Sequence, residues 1–333
     1  MDTNLTKIKN EILAFLLTTF LITFGMGIIM FFVYKHIDAS GVESFAIVQM
    51  LYPALAAIGI RIYYEKNSIS KGLMDFFKFY IIFSVLCVII LVVGVFAFPS
   101  SLSIVINTLV IIASIFAFTI IMINKDNRFE KISMVFKKNF KTVILLGLLY
   151  VGLKLIIVIF GGLVDGNLSE ILKKTVMRIA SLIIIVPIGV VSSFIIFFGE
   201  ELGWREYLQP KLQVLFGKKL GVIILGFIWG IWHLPLCFML YSPSTPIYCV
   251  ISHVFYCIFL GIFLGFVYMK TRNLWSVIII HLINNSMVIS DSGGYTTVIT
   301  SRDLVLGLIF CVIVFLPFLF TKEYKGKMIE DND

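Results

Sequence analysis

The chain has 333 residues, 60% of them hydrophobic and 14% charged, with a mean hydropathy of +1.04. A soluble domain carries about 25% charged and 45–50% apolar residues, so this composition excludes a water-soluble fold and points to a polytopic membrane protein. The net charge of +8 is spread along the chain rather than gathered into one basic domain, which argues against a nucleic-acid partner.

At about 20 apolar residues per span, helices are expected near 12–34, 46–62, 76–98, 101–123, 142–163, 177–198, 221–241, 248–269, 274–290 and 303–321. The expected fold class is all-α, a polytopic transmembrane helix bundle of about 8–10 spans. The first apolar run is longer than a signal-peptide core and lacks a small-residue cleavage site, so it should remain as a span. With the N-terminus inside, only Lys35, Lys173, Lys174, Arg178 and Arg302 fall outside, while Lys78 and Lys154 lie within spans. The rest of the 27 Lys and Arg residues lie inside, so both termini are expected in the cytoplasm of a multi-pass cell-membrane protein.

The longest polar connection, 124–141, is basic and reads as a cytoplasmic surface helix. It divides an N-terminal part (1–141) from a C-terminal helical core (142–321), whose motifs lie within 177–290. The tail, 322–333, is charged and expected to be disordered. The five cysteines (Cys87, Cys237, Cys249, Cys257, Cys311) are odd in number and show no CxxC spacing, so neither a disulfide framework nor a zinc ribbon is expected.

An ionisable residue inside a membrane is costly and marks a functional site by default. Such residues cluster late in the chain, as Glu200, Glu201, Arg205, His233, His253, His281 and Asn285. In GEELGWRE, Glu201 and Arg205 stand four apart, acid first, the favoured order for an intrahelical ion pair. Glu200 points about 100° away, so one glutamate can be held by arginine while its neighbour faces elsewhere. The bland alternative is a charged helix end at the membrane surface.

His233 lies well inside GFIWGIWHLPL, one turn after Trp229, and Gly226 and Gly230 form a GxxxG that permits close helix contact. A lone histidine there is more often a satisfied core residue than a catalyst. His281 and Asn285, four apart, share a helix face, with Asn284 on a different one. His253 lacks comparable polar company and reads as a packing or substrate-lining residue. His233 is twelve residues into its expected helix and His281 about seven, which places them at unequal depths relative to the glutamates.

Together these residues suit hydrolysis. A carboxylate and a neutral His can deprotonate water, and a second His with an Asn can stabilise an oxyanion. No Ser or Cys has a matching His partner, so a covalent nucleophile is not suggested. The same carboxylate and histidines also suit zinc, although there is no HExxH. A transporter relaying protons through buried Glu and His, or a non-catalytic protein sequestering a peptide, are the rival readings.

The motifs EExxxR (Glu200, Glu201, Arg205), an aromatic-xxx-His (Trp229, His233) and HxxxN (His281, Asn285) resemble those of the CAAX prenyl protease and bacteriocin-processing family (CPBP, or Abi) of intramembrane proteases. Tryptophan replaces the family's phenylalanine at 229, and the similarity covers roughly 177–290. The resemblance implies an endopeptidase in which Glu200 and His233 activate water. His281 and Asn285 would form the oxyanion site, with Glu201 and Arg205 in support. The family is often called metalloprotease; a metal-independent water is the preferred expectation, with zinc the alternative. The implied partners are a membrane-associated peptide or protein substrate, lipidated or leader-like, and the lipid bilayer. The bland alternative is a bacteriocin-immunity role without catalysis, and the oligomeric state is open.

Overall fold

A computed structural model describes residues 2–37, 41–123, 128–287 and 298–326. Among these residues every regular element is helical. The elements are α1 (Asp2–His36), α2 (Val42–Gln49), α3 (Tyr52–Glu65), α4 (Lys71–Ala97), α5 (Pro99–Ile123), α6 (Phe140–Asp165) and α7 (Leu168–Ser192). They continue with α8 (Phe194–Glu201), α9 (Gln209–Phe216), α10 (Lys218–Trp232), the single turn α11 (Leu234–Leu236), α12 (Pro246–Thr271), α13 (Leu274–Ser286) and α14 (Ser301–Phe315). Eight helical segments are long and apolar enough to cross a membrane, and the pair around His233, bent by 43°, makes a ninth. Their outer faces leave large aliphatic side chains uncovered, among them Leu21 (71% exposed) and Ile183 (79%). Apolar surface on this scale is stable against lipid and costly against water. The expected polytopic helix bundle is therefore observed.

Four expected elements differ in detail. The span expected at 177–198 is two helices, because the backbone leaves helical geometry at Ser193 (φ −121°, ψ 12°) and α8 starts afresh. The span expected at 46–62 is broken after Gln49, and Pro53 opens α3. The helix expected over 274–290 ends at Ser286, and its last three positions lie outside the described residues. The basic connection does not form a surface helix over its described part before α6, residues 128–139. It makes one 3-10 turn, Glu130–Ile132, with left-handed backbone at Ser133 and Asn139 (both φ 57°). Its polar groups bind the α12–α13 turn instead: Asn273 Nδ2 donates to the carbonyls of Val135 (3.0 Å) and Lys138 (2.7 Å), and Asn139 Nδ2 to that of Thr271 (2.9 Å). A pattern of charge and apolar residues could not reveal that these donors and acceptors have a tertiary use. The tail expected to be disordered lies, from 327 on, outside the described residues.

Two sets of close backbone contacts position the interior. A Cβ on Gly199 would lie 2.4 Å from the Met50 carbonyl oxygen, and one on Gly203 2.4 Å from Pro53 Cβ, so the glutamate segment nests in the break between α2 and α3. On the other side, Cβ atoms on Gly226 and Gly230 would lie 2.5 and 2.6 Å from Ile258 Cα and Val254 Cα. The expected GxxxG contact is thus made, between α10 and α12.

The break also carries charge. Glu206 accepts from Arg61 Nη2 of α3 at 2.7 and 2.8 Å, and both residues are buried. Removing one partner from a buried pair leaves an uncompensated charge, at a cost of about 3–5 kcal/mol. Arg61→Met should therefore lower unfolding stability in detergent by about that much, and adding Glu206→Leu should recover most of it. Additive losses in the double variant would show that the pair is not coupled.

Candidate active site

The glutamate motif is not the surface end of a spanning helix. The Ser193 break lets α8 turn into the core, where Glu200 (3% exposed) and Glu201 (0%) sit before a π-helical turn, Leu202–Leu208. Glu200, His233 and His281 line one cavity of about 210 Å³, together with Asn284 and Asn285. The unequal depths that run lengths give these residues therefore do not keep them apart.

Within the motif the two carboxylates have different partners. Glu201 Oε2 accepts from Arg205 Nε at 3.2 Å, the expected i,i+4 pair. Its other oxygen, Oε1, lies 2.7 Å from His281 Nδ1, so the same carboxylate ties α8 to α13. Glu200 Oε2 accepts from Trp229 Nε1 at 2.9 Å, while its Oε1 has no protein partner among the described residues. Trp229 also lies under the guanidinium of Arg205, with Cζ 4.7 Å from the ring centroid. At this distance a desolvated cation–π contact is worth up to about 2 kcal/mol. The tryptophan that departs from the family's phenylalanine thus supplies a hydrogen bond to Glu200 that phenylalanine lacks.

His233 sits at the bend between α10 and α11. Its Nδ1 lies 2.8 Å from the Trp229 carbonyl oxygen, which can only accept, so Nδ1 carries the proton and Nε2 keeps its lone pair. The sequence spacing did not reveal its neighbour: the His253 ring, from α12, lies 4.4 Å away between centroids. His253, read from sequence as a packing or substrate-lining residue, lines the cavity.

Asn285 and Asn284 both reach the cavity, although their spacing suggested different faces. Asn284 Oδ1 accepts from the hydroxyls of Tyr150 on α6 and Tyr256 on α12, and its Nδ2 donates to Asn285 Oδ1 at 3.0 Å. These bonds fix both amides, so Asn285 Nδ2 is left to donate. The tyrosines had no legible signal, because they meet Asn284 only through tertiary packing. Each hydroxyl backs up the other, which makes a specific energetic pattern. Tyr150→Phe and Tyr256→Phe should each cost about 1 kcal/mol in unfolding stability, and the double variant more than the sum, because Asn284 Oδ1 is then left without a donor. Strict additivity in that cycle would mean that the two hydroxyls do not share Asn284.

Residues 181–287 match the family described as type II CAAX prenyl endopeptidase Rce1-like. The match starts inside α7 and ends one residue after α13, so it contains all three motifs and the helices that carry them. No curated protein and no solved structure matches the chain. The motifs thus lie on helices that meet at one cavity, and the segment that spans all of them, about a third of the chain, is similar to the CAAX-protease (CPBP) family of membrane endopeptidases.

Proposed function

We propose that the protein hydrolyses peptide bonds of membrane-associated peptides or proteins with a water molecule activated by Glu200 and His233. The observation that carries this reading is the unequal commitment of the adjacent glutamates. Glu201 is held by Arg205 and His281, whereas Glu200 keeps Oε1 without a partner among the described residues, beside the cavity. A water in that cavity can donate one hydrogen bond to Glu200 Oε1 and the other to His233 Nε2, which turns an oxygen lone pair toward a bound carbonyl carbon. As the C–O bond forms, Glu200 takes the proton, and it returns that proton to the nitrogen of the leaving amine.

The negative charge that develops on the carbonyl oxygen requires donors. Asn285 Nδ2 is one. With Nδ1 facing Glu201, His281 offers a proton at Nε2 only as the imidazolium, whose charge the Glu201 carboxylate offsets. In this reading Arg205 and Glu201 hold His281 in place and do not touch the substrate. We read the chemistry as independent of metal. The distribution of Lys and Arg supports a cell-membrane protein with both termini in the cytoplasm.

The test compares protein termini, by mass spectrometry of membrane fractions, between cells carrying wild type and cells carrying Glu200→Gln. New termini should appear only with wild type, and turnover of any substrate found should fall by about 10²–10⁴-fold in the variant. Full turnover in Glu200→Gln would refute the water-activating role. Treatment of purified enzyme with a chelator should leave turnover intact; loss of turnover with recovery on adding zinc would refute metal independence.

A further inference from the structure

We infer that His233, His253 and Cys257 form a binding site for a borderline-soft divalent ion of the zinc class, at the wall of the catalytic cavity. One ligand atom from each of the three residues can be chosen so that all lie within 4.8 Å of one another. Tetrahedral coordination at about 2.0–2.3 Å would place such atoms about 3.3–3.7 Å apart, so side-chain rotation alone must close the remaining gap of roughly 1 Å.

Four features favour an ion here over a chance grouping. His233 is already oriented as a ligand: Nδ1 is spent on the Trp229 carbonyl at 2.8 Å, leaving the Nε2 lone pair, and metal-bound histidines usually have such a carbonyl partner. His253 Nε2 is buried with no hydrogen-bond partner among the described residues, a state that proteins usually avoid. His253 and Cys257 stand four apart on α12, so they project from the same face. The two helices that carry the site are locked at their backbones, because Gly230 of α10 admits no Cβ against Val254 of α12, the residue next to His253. A site built on a rigid helix pair loses little order on binding.

The donor set decides the class of ion. Two imidazoles and one thiolate suit Zn²⁺, Co²⁺ or Cu²⁺ and discriminate against Mg²⁺ and Ca²⁺, which take oxygen ligands. Cys257 binds as thiolate, its proton leaving to bulk buffer. Three protein ligands leave a fourth position facing the cavity. The ion would occupy the His233 Nε2 lone pair, so it would inhibit hydrolysis. That consequence, unlike the binding itself, rests on the proposed role of His233.

The experiment titrates Co²⁺ into the purified, full-length protein in detergent, with wild type, Cys257→Ser, Cys257→Ala and His253→Gln compared. Wild type should develop a thiolate-to-cobalt charge-transfer band at one equivalent, and Zn²⁺ should abolish it. Both Cys257 variants should lose the band, and His253→Gln should bind at least tenfold more weakly. No band in wild type, or a band that survives in the Cys257 variants, would overturn the site. In a parallel cleavage assay, Zn²⁺ should inhibit wild type and not Cys257→Ser, each measured against its own metal-free rate. Binding without inhibition would leave the metal site standing and count against the role of His233 in hydrolysis.

Discussion

A carboxylate in an apolar interior must be paired, and the whole centre of this protein is arranged around one such pairing, the contact of Glu201 with both Arg205 and His281. Taking a charge out of water costs several kcal/mol even after relaxation, so Glu201 is tolerable only where both oxygens are occupied. Arg205 occupies one and His281 the other. Because the first partner is local and the second lies on α13, satisfying this carboxylate fixes α13 against α8. The arginine is itself buried, with both Nη atoms lacking partners among the described residues, and the face of Trp229 is the compensation on that side. Trp229 then reaches Glu200, so the carboxylate that must be neutralised and the one proposed to activate water are joined through a single indole.

The same segment is held from the N-terminal side. Gly199 and Gly203 admit the chain break at 50–53, Arg61 pairs with Glu206, and Gln49 Nε2 donates to the Trp232 carbonyl at 2.9 Å, next to His233. The first helices therefore take part in shaping the cavity, which Ala46 and Met50 help to line. The π-helical turn over Leu202–Leu208 fits this arrangement, since such turns are uncommon and recur at functional sites. It carries Arg205 and Glu206 toward different partners, one in the site and one on α3.

What the sequence made legible was whatever is encoded locally. Composition and run lengths are enough for a polytopic helix bundle, and a spacing of four is enough for the Glu201–Arg205 pair, for a close helix contact through Gly226 and Gly230, and for His281 and Asn285 on one helix face; that the contact is with α12 and the face lines a cavity came only with the structure. The motifs were also enough for the resemblance to the family whose model matches residues 181–287. Hidden were the features decided between distant segments. The serine pair Ser192–Ser193 is a weak local mark that α8 separates from α7, since the apolar run resumes directly after it. Tyr150 and Tyr256 look like ordinary aromatic residues of apolar helices until the fold brings both onto Asn284. His253 looked solitary because its partner His233 lies 20 positions away on another helix. The loop at 128–139 was misread for the same reason: its amides and carbonyls serve the α12–α13 turn, a tertiary use that no periodicity records.

The account's central claim is that two adjacent glutamates divide the work, Glu201 holding the structure and Glu200 left for chemistry. The most direct measurement is the unfolding stability of Glu200→Gln against that of Glu201→Gln, in the same detergent and at the same pH. The account predicts that Glu201→Gln loses about 3–5 kcal/mol, because Arg205 is left buried without its anion, while Glu200→Gln unfolds within about 1 kcal/mol of wild type, because an amide oxygen still accepts from Trp229. Equal losses, or a greater loss in Glu200→Gln, would contradict it.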